Sequence, residues 1–326
     1  MTTPARIAAA PISWGVCEVS NWGYQMKASR VLEEMHELGF LATEAGPDGF
    51  LPDEPSALLD CLGASAMQLV GGFVPLVMHR TGDWLAAFGQ AVERLARCGA
   101  EVLVLAAATG LQDYDARPEL SAGEWSRLLA GLDLAVEVAA EMGIRAVLHP
   151  HMGTLVQSPQ EIDRVLEGTR IPLCLDTGHI LAGGGDPAAV ALSAPGRVGH
   201  VHLKDVNVEL AKEVASGAMT YSVAVRQGLY HCLGDGDVDV PAIVSSLQSA
   251  CYTGWFVLEH DVVLAEEPAP GKGPLRAVER SLRYLTDVLA EVGSRNAGEP
   301  EKSSEVHSAP ASRSIARDST CRPVNE

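Results

Sequence analysis

The chain has 326 residues and a formal net charge of −18, from 24 basic and 42 acidic residues, with a pI near 4.9. This surplus of negative charge repels nucleic acid over most of the surface, so no nucleic-acid partner is expected. No apolar run reaches the roughly 20 residues of a membrane span, no signal-peptide pattern opens the chain, and the seven cysteines are scattered without a CxxC pair. These features predict a soluble cytoplasmic protein with reduced thiols and no membrane partner.

Apolar β-type runs alternate with amphipathic helical stretches along the chain. The predicted strands are at 7–12, 41–46, 67–73, 101–107, 144–149, 172–176, 198–204 and 254–259. The predicted helices are at 27–38, 55–63, 83–98, 121–142, 159–167, 186–194, 240–251 and 274–292. Eight βα repeats with right-handed crossovers favour an α/β fold of the (β/α)8 TIM barrel type over an open doubly wound sheet.

The composition divides the chain into a barrel and a tail. Residues 1–293 are predicted to form one catalytic barrel domain, and residues 294–326 are polar and small, without periodic apolar positions. Such a segment buries too little surface to offset its ordering entropy, so we expect a disordered tail. The longest connection, 205–238, contains LGDGDVD and is expected to form a lid or a substrate wall.

Four predicted strands finish with residues that bind metals or move protons. The segments are AVLHPHMGT, PLCLDTGH, VGHVHLKD and GWFVLEHD. Because the carboxyl ends of barrel strands meet on one face, these side chains are expected to converge. The best ligand set is His149, Asp176, His202 and Glu259, with His151 competing for the place of His149. Two imidazoles and two carboxylates suit Mn²⁺, Co²⁺, Fe²⁺ or Zn²⁺, and each residue alone would more often be structural.

Further residues are candidates for proton transfer. Lys204 lies two residues beyond His202, so both side chains face the same way, and a lowered pKa would suit the lysine to proton transfer. Its alternative role is a salt bridge to Asp205. Glu44 could bind substrate hydroxyls, act as a base or be structural, and His179 could contact substrate or orient the nearby metal ligand.

Candidates for substrate contact are fewer. Trp14 could pack its indole on the apolar face of a sugar or cyclitol ring, or belong to the core. Asp205 and Arg226 are weaker candidates. The GGGD turn at 183–186 lacks the context of a dinucleotide site, so no nucleotide cofactor is expected. No cluster of Lys and Arg marks a phosphate site, which favours an uncharged polyol.

Together with the opening APISWG and the segment TEAGP, these motifs make residues 7–290 resemble the xylose isomerase-like barrel superfamily, most of all the inosose dehydratases of myo-inositol catabolism. The resemblance implies a Mn²⁺- or Co²⁺-dependent barrel that removes water from 2-keto-myo-inositol and forms a trihydroxycyclohexane-dione. The family's metal positions fall on Asp176, His202 and Glu259, with His149 as the fourth. A homodimer or homotetramer and a small polyol or keto-cyclitol substrate are also expected.

The resemblance also bears on the chemistry. In the epimerase branch the fourth ligand is a glutamate that serves as acid or base, whereas His149 stands here, which favours dehydration. Lys204 or Glu44 is expected as the base, and His151 or His179 as the acid. The alternatives are a sugar or ketose isomerase or epimerase on the same metal, a 3-dehydroshikimate dehydratase, and a barrel that binds a cyclitol without catalysis.

Overall fold

A computed structural model describes residues 5–111 and 114–298. Its centre is a sheet of parallel strands that matches the predicted barrel. We number the strands β1 (Arg6–Ala9), β2 (Ala42–Thr43), β3 (Gln68–Leu69 and Gly71–Leu76), β4 (Val102–Ala107), β5 (Arg145–Leu148), β6 (Leu173–Asp176), β7 (Val198–Leu203) and β8 (Trp255–Leu258). All eight predicted strands are confirmed, although several are shorter than expected.

The barrel closes through β3, whose two segments pair with β2 and β4 respectively. Val70 joins the segments: its N–H donates to the Thr43 carbonyl at 2.9 Å, and its own carbonyl accepts from Glu101 and Val102. The next residue, Gly71, has to be a glycine because a Cβ there would lie 2.5 Å from the Val102 carbonyl oxygen. On the other side β1 pairs with both β8 and β2, so the sheet forms a ring.

Helices surround the strands. They are α1 (Ala28–Glu37), α2 (Pro55–Ala64), α3 (Trp84–Arg97), α4 (Ala122–Glu141), α5 (Pro159–Gly168), α6 (Thr177–Ala182), α7 (Pro187–Ser193), α8 (Val208–Ala215), α9 (Tyr221–Arg226), α10 (Val240–Ser249) and α11 (Pro274–Gly298). The eight predicted helices are confirmed. The short helices α6, α8 and α9 were not predicted, because each has too few residues to show a helical period.

The connection 205–238 folds as a compact insertion at the barrel mouth. It contains α8, α9 and a two-stranded antiparallel ladder between Asp205–Val206 and Tyr230–His231. Tyr221, the first residue of α9, is buried and lines the cavity at the barrel mouth. This insertion therefore supplies part of the expected substrate wall.

The barrel interior is apolar below the mouth and polar at it. All six residues of β4 are buried, as are the six of β7. At the far end the guanidinium of Arg6 lies 4.0 Å from the centre of the Trp255 ring. Helix α11 continues to Gly298, past the predicted end of the domain at 293, and residues 299–326 of the predicted tail lie outside the described residues. Within the described ranges no helix is long and apolar enough to cross a membrane.

Candidate active site

Three of the predicted metal ligands converge at the carboxyl ends of neighbouring strands. Asp176 ends β6, His202 lies near the end of β7, and Glu259 follows β8 directly. Each offers one ligand atom within 4.8 Å of the other two. The His202 Nδ1 lies 3.2 Å from Glu259 Oε2 and 3.5 Å from Asp176 Oδ2. All three side chains are buried, so the predicted convergence is confirmed.

His149 joins this group through two of its members. Its Nε2 lies 3.1 Å from Asp176 Oδ2, and its ligand atoms group with those of Asp176 and His179 and with those of His202 and Cys174, but not with those of Glu259. The Nδ1 atoms of His149 and His202 are buried and have no hydrogen-bond partner among the described residues. Imidazole nitrogens beside two carboxylates are donors that a divalent cation prefers. The residues present therefore fit a metal ion.

Lys204 places its ammonium among the same carboxylates. Its Nζ lies 2.9 Å from Asp176 Oδ2, 2.6 Å from Glu259 Oε2 and 3.3 Å from Asp261 Oδ1. Burial alone would lower the pKa of Lys204, but these carboxylates raise it well above its ordinary value. The expected lowering of the Lys204 pKa and the alternative salt bridge to Asp205 are both wrong: the lysine is a charged ammonium that faces the site.

Asp261 is a site residue that the sequence prediction missed. It lines the cavity, and its Oδ2 accepts from the Tyr221 hydroxyl at 3.0 Å; that hydroxyl lies 3.0 Å from the hydroxyl of Tyr230. Burial and the neighbouring Glu259 carboxylate raise the pKa of Asp261 to about 6, although Lys204 opposes this. Its position two residues after Glu259 could have identified it, because side chains two residues apart along an extended chain face the same side.

Glu44 lies beside His202, on the side away from the other carboxylates. Its Oε1 is 3.1 Å from His202 Nε2 and 2.8 Å from His200 Nε2. Burial would raise the pKa of Glu44, but the two imidazoles lower it far below its ordinary value. Because two imidazoles already bind its Oε1, Glu44 is poorly placed to take a proton from a substrate, which argues against its expected role as the base. His200 was also missed, although it precedes His202 by two residues.

His151 and His179 stack on each other with ring centres 3.8 Å apart, and only His151 lines the cavity. The His151 Nδ1 lies 2.7 Å from the Met152 carbonyl oxygen, so this nitrogen carries the proton and Nε2 is the acceptor. Burial, with His149 and Lys204, lowers the pKa of His151 to about 3. His179 orients Asp176 through its backbone, whose N–H donates to Asp176 Oδ1 at 2.7 Å. A neutral His151 disagrees with its expected role as the acid.

The cavity above these groups has apolar and aromatic walls. They include Pro11, Ile12, Val16, Trp22, Phe73, Tyr114 and Tyr221. At the rim the Tyr114 hydroxyl donates to Glu18 Oε1 at 2.5 Å, which joins the loops after β1 and β4. Among the described residues, Lys204 is the one lysine or arginine in the cavity lining.

Three residues predicted to contact substrate lie elsewhere. Trp14 is fully buried and donates from Nε1 to Glu34 Oε2 at 2.8 Å, behind the cavity wall. Asp205 accepts four backbone N–H groups and fixes the turn at 234–238. Arg226 is exposed and donates to the Asn21 carbonyl at 3.3 Å. None of the three lines the cavity. For Trp14 the alternative of core packing is confirmed, whereas the expected substrate contacts of Asp205 and Arg226 are contradicted.

The indole that does line the cavity is Trp22, held by a bond from its Nε1 to the Val262 carbonyl at 3.1 Å. It comes from the loop after β1, whereas Trp14 belongs to the short 3-10 helix Pro11–Trp14. Tyr114 and Tyr221 likewise come from segments between regular barrel elements. No periodic pattern in the sequence marks such residues.

Comparison with known proteins agrees with this architecture. Residues 79–288 match the xylose isomerase-like TIM barrel family, and the chain belongs to that family. Among its relatives, the inosose dehydratase of Geobacillus kaustophilus is 31% identical over 298 residues, which cover 86% of this chain and 96% of the relative. The resemblance seen in the motifs is therefore confirmed.

Two solved structures share the fold. L-ribulose 3-epimerase superposes with a TM-score of 0.65 at 16% identity, covering 92% of this chain and 100% of the other. The IolI protein, solved with a bound zinc atom, gives a TM-score of 0.65 at 13% identity, covering 88% of this chain and 99% of the other. At these identities the likeness concerns the fold alone.

Proposed function

We propose that this protein is a metal-dependent hydro-lyase that removes water from 2-keto-myo-inositol and forms a trihydroxycyclohexane-dione in myo-inositol catabolism. One observation carries the proposal: a chain similar to an inosose dehydratase over 86% of its length brings Asp176, His202 and Glu259 together at the barrel mouth, where His202 and Glu259 line the cavity. A cytoplasmic location is proposed with it, since the six described cysteines are free thiols. A homodimer or homotetramer remains a prediction.

The cavity lining supports an uncharged cyclic polyol as substrate. The one lysine or arginine in the described lining, Lys204, is already in contact with three carboxylates, so it offers little to a phosphate. Trp22, Phe73 and Tyr114 present apolar surface to the cavity, which suits the C–H faces of a six-membered ring.

Asp176, His202 and Glu259 would hold the metal, with His149 next to Asp176 as the fourth candidate. The mixed nitrogen and oxygen donors favour Mn²⁺ or Co²⁺ and also admit Fe²⁺ or Zn²⁺. The zinc bound by the similarly folded IolI protein supports a metal in this family of barrels. When bound, such a cation supplies Lewis-acid stabilisation for the negative charge that develops on the substrate ketone.

The protein side chains supply the proton transfers. His151 has Nε2 available as an acceptor because its Nδ1 is bonded to the Met152 carbonyl, so we assign it to remove the proton next to the ketone. Lys204 is assigned to donate a proton to the β-hydroxyl, which then leaves as water. The enol that remains loses the proton of its hydroxyl group, gains one at carbon and so becomes the dione. This assignment reverses the one expected from sequence.

The test follows dione formation by ultraviolet absorbance, with the inosose as substrate and Mn²⁺ or Co²⁺ added. Lys204→Met should lower turnover by at least about 100-fold, since the donor is lost, while elemental analysis finds an unchanged metal content. Lys212→Met, on the exposed lysine of α8, is the control and should match wild type. Unchanged turnover in Lys204→Met would remove Lys204 from the mechanism.

Two other outcomes would overturn the proposed reaction itself. Conversion of the substrate to an isomer, without the dione chromophore, would identify an isomerase or epimerase on the same site. Thermal stabilisation by the inosose without any turnover would identify a barrel that binds a cyclitol and does not transform it.

A further inference from the structure

A group of buried polar side chains lies beside the proposed metal ligand His202. Glu44 accepts from two imidazoles at one oxygen: its Oε1 lies 2.8 Å from His200 Nε2 and 3.1 Å from His202 Nε2. The relative exposures are 4% for Glu44, 0% for His200 and 1% for His202, so water is excluded from these bonds. His200 and His202 come from the same strand, two residues apart, and so face the same side of it.

The chemistry of Glu44 decides where the protons lie on these rings. An ionised carboxylate only accepts hydrogen bonds, so both imidazoles must present an N–H at Nε2. In the neutral ring of His202, the form that binds a metal, this leaves Nδ1 as the nitrogen with a free lone pair. Among the described residues the same Nδ1 has no hydrogen-bond partner; it is buried and lies within 3.5 Å of oxygens of Asp176 and Glu259.

We propose that Glu44 is a positioning residue, which holds the proton of His202 on Nε2 and thereby presents Nδ1 to the metal. His200 shares the carboxylate and completes its solvation in the absence of water. The inference rests on the metal proposed above, and it gives Glu44 a role that acts through His202 rather than on the substrate. Carboxylate partners of metal-binding histidines orient the ring and increase its basicity as a ligand.

The experiment measures metal binding without substrate. Zn²⁺ is titrated into the metal-free full-length protein, and its affinity is compared between wild type and variants. Glu44→Ala should bind Zn²⁺ roughly 10- to 100-fold more weakly, the usual effect of losing such a partner. Glu44→Gln keeps a carbonyl oxygen that accepts the same N–H, so its affinity should recover to within about tenfold of wild type.

A matched control is Glu34→Ala. Glu34 is also a buried glutamate, 5% exposed, with hydrogen bonds to Trp14 and Arg30, but it lies on α1 away from the ligands. This variant should lose stability and keep the wild-type affinity for Zn²⁺. If both alanine variants weakened Zn²⁺ binding equally, the effect would come from general loss of packing and the inference would be overturned.

A second measurement needs no Glu44 variant. In Zn²⁺-loaded protein labelled with ¹⁵N-histidine, NMR shows which ring nitrogen carries hydrogen, and His202→Asn identifies the signal. We expect a protonated Nε2 and a metal-bound Nδ1; the opposite arrangement overturns the inference. Zn²⁺ binding by wild type with equal affinity in Glu44→Ala overturns this inference alone, whereas failure of wild type to bind any divalent cation overturns the metal proposal and the inference with it.

Discussion

Replacing Asp205 tests whether this buried carboxylate is structural or binds substrate. Its oxygens accept backbone N–H groups from Val206 at 2.9 Å, Gly234 at 2.8 Å, Gly236 at 3.0 Å and Val238 at 3.0 Å. Hydrogen bonds to a charged group contribute about 1.5–3 kcal/mol each. The N–H groups of Val206 and Val238 are buried and would stay unpaired, whereas those of the two glycines are only part-buried and can bind water. We therefore expect Asp205→Ala to lower the free energy of unfolding by about 4 kcal/mol.

Urea unfolding followed by circular dichroism measures this loss. The control is Asp239→Ala in the same region, where the carboxylate caps α10 through one bond to the Ala242 N–H at 2.9 Å. Loss of that cap should lower the free energy of unfolding by only about 1 kcal/mol. If Asp205→Ala were no worse than the control and instead raised KM for the substrate, the structural role would be refuted.

Three further results are expected. Trp22→Phe should raise KM and Trp14→Phe should leave KM unchanged, although both should lower stability because each buried indole loses one hydrogen bond; a raised KM in Trp14→Phe alone would contradict the cavity assignment. Chelating a bound cation present at 100 times its Kd should lower the free energy of unfolding by about 3 kcal/mol, and a melting temperature insensitive to both chelator and Mn²⁺ would count against a metal centre. In metal-free protein the Asp261 carboxyl faces Lys204, Glu259, Asp176 and the Tyr221 hydroxyl, and its pKa is raised from 3.8 to about 6. Folded wild type should therefore lose stability relative to Asp261→Asn as pH rises from 4 through 6, by up to about 3 kcal/mol. A constant difference in the free energy of unfolding across this range would argue against the raised pKa.

The barrel was predictable because its strands and helices repeat with regular periods. Continuous apolar runs such as VLVLAA at 102–107 are typical of strands buried on both faces, and this run is fully buried. The interruption of β3 at Val70 was not predictable, since it depends on how that residue bonds to two neighbouring strands at once. Short helices such as α6 were missed because six residues are too few to show a helical period, even though Asp176 caps this helix locally by accepting from the His179 N–H.

The convergence of the proposed metal ligands was predictable for a different reason. Strand ends share one face of a barrel, so Asp176, His202 and Glu259 had to converge once the strands were placed correctly. The partners of Lys204 were not predictable, because a long flexible side chain can reach several neighbours and only packing selects among them. The packing also decides the charge state of Lys204. A salt bridge to Asp205 would have kept the side chain at the rim of the barrel, but it lies between Asp176 and Glu259, whose carboxylates keep it an ammonium.

Aromatic residues of the cavity wall were the hardest to place. Trp14 and Trp22 both follow β1, and only the short 3-10 helix after that strand turns the first indole into the core and leaves the second for the cavity. Tyr114 reaches the rim because its segment packs closely on Gly153, where a Cβ would lie 2.5 Å from the tyrosine ring. Such contacts between loops distant in sequence leave no local pattern.

The position of Lys204 bears on how the protein matures. Without a cation, Asp176 and Glu259 would repel each other across the barrel mouth, but the lysine acts as an internal counter-ion that contacts both. We therefore expect newly synthesised chain to reach its native shape before any metal arrives. In the proposed metal-bound form the ion would take over the contacts with Asp176 and Glu259, and Lys204 would keep its contact with Asp261.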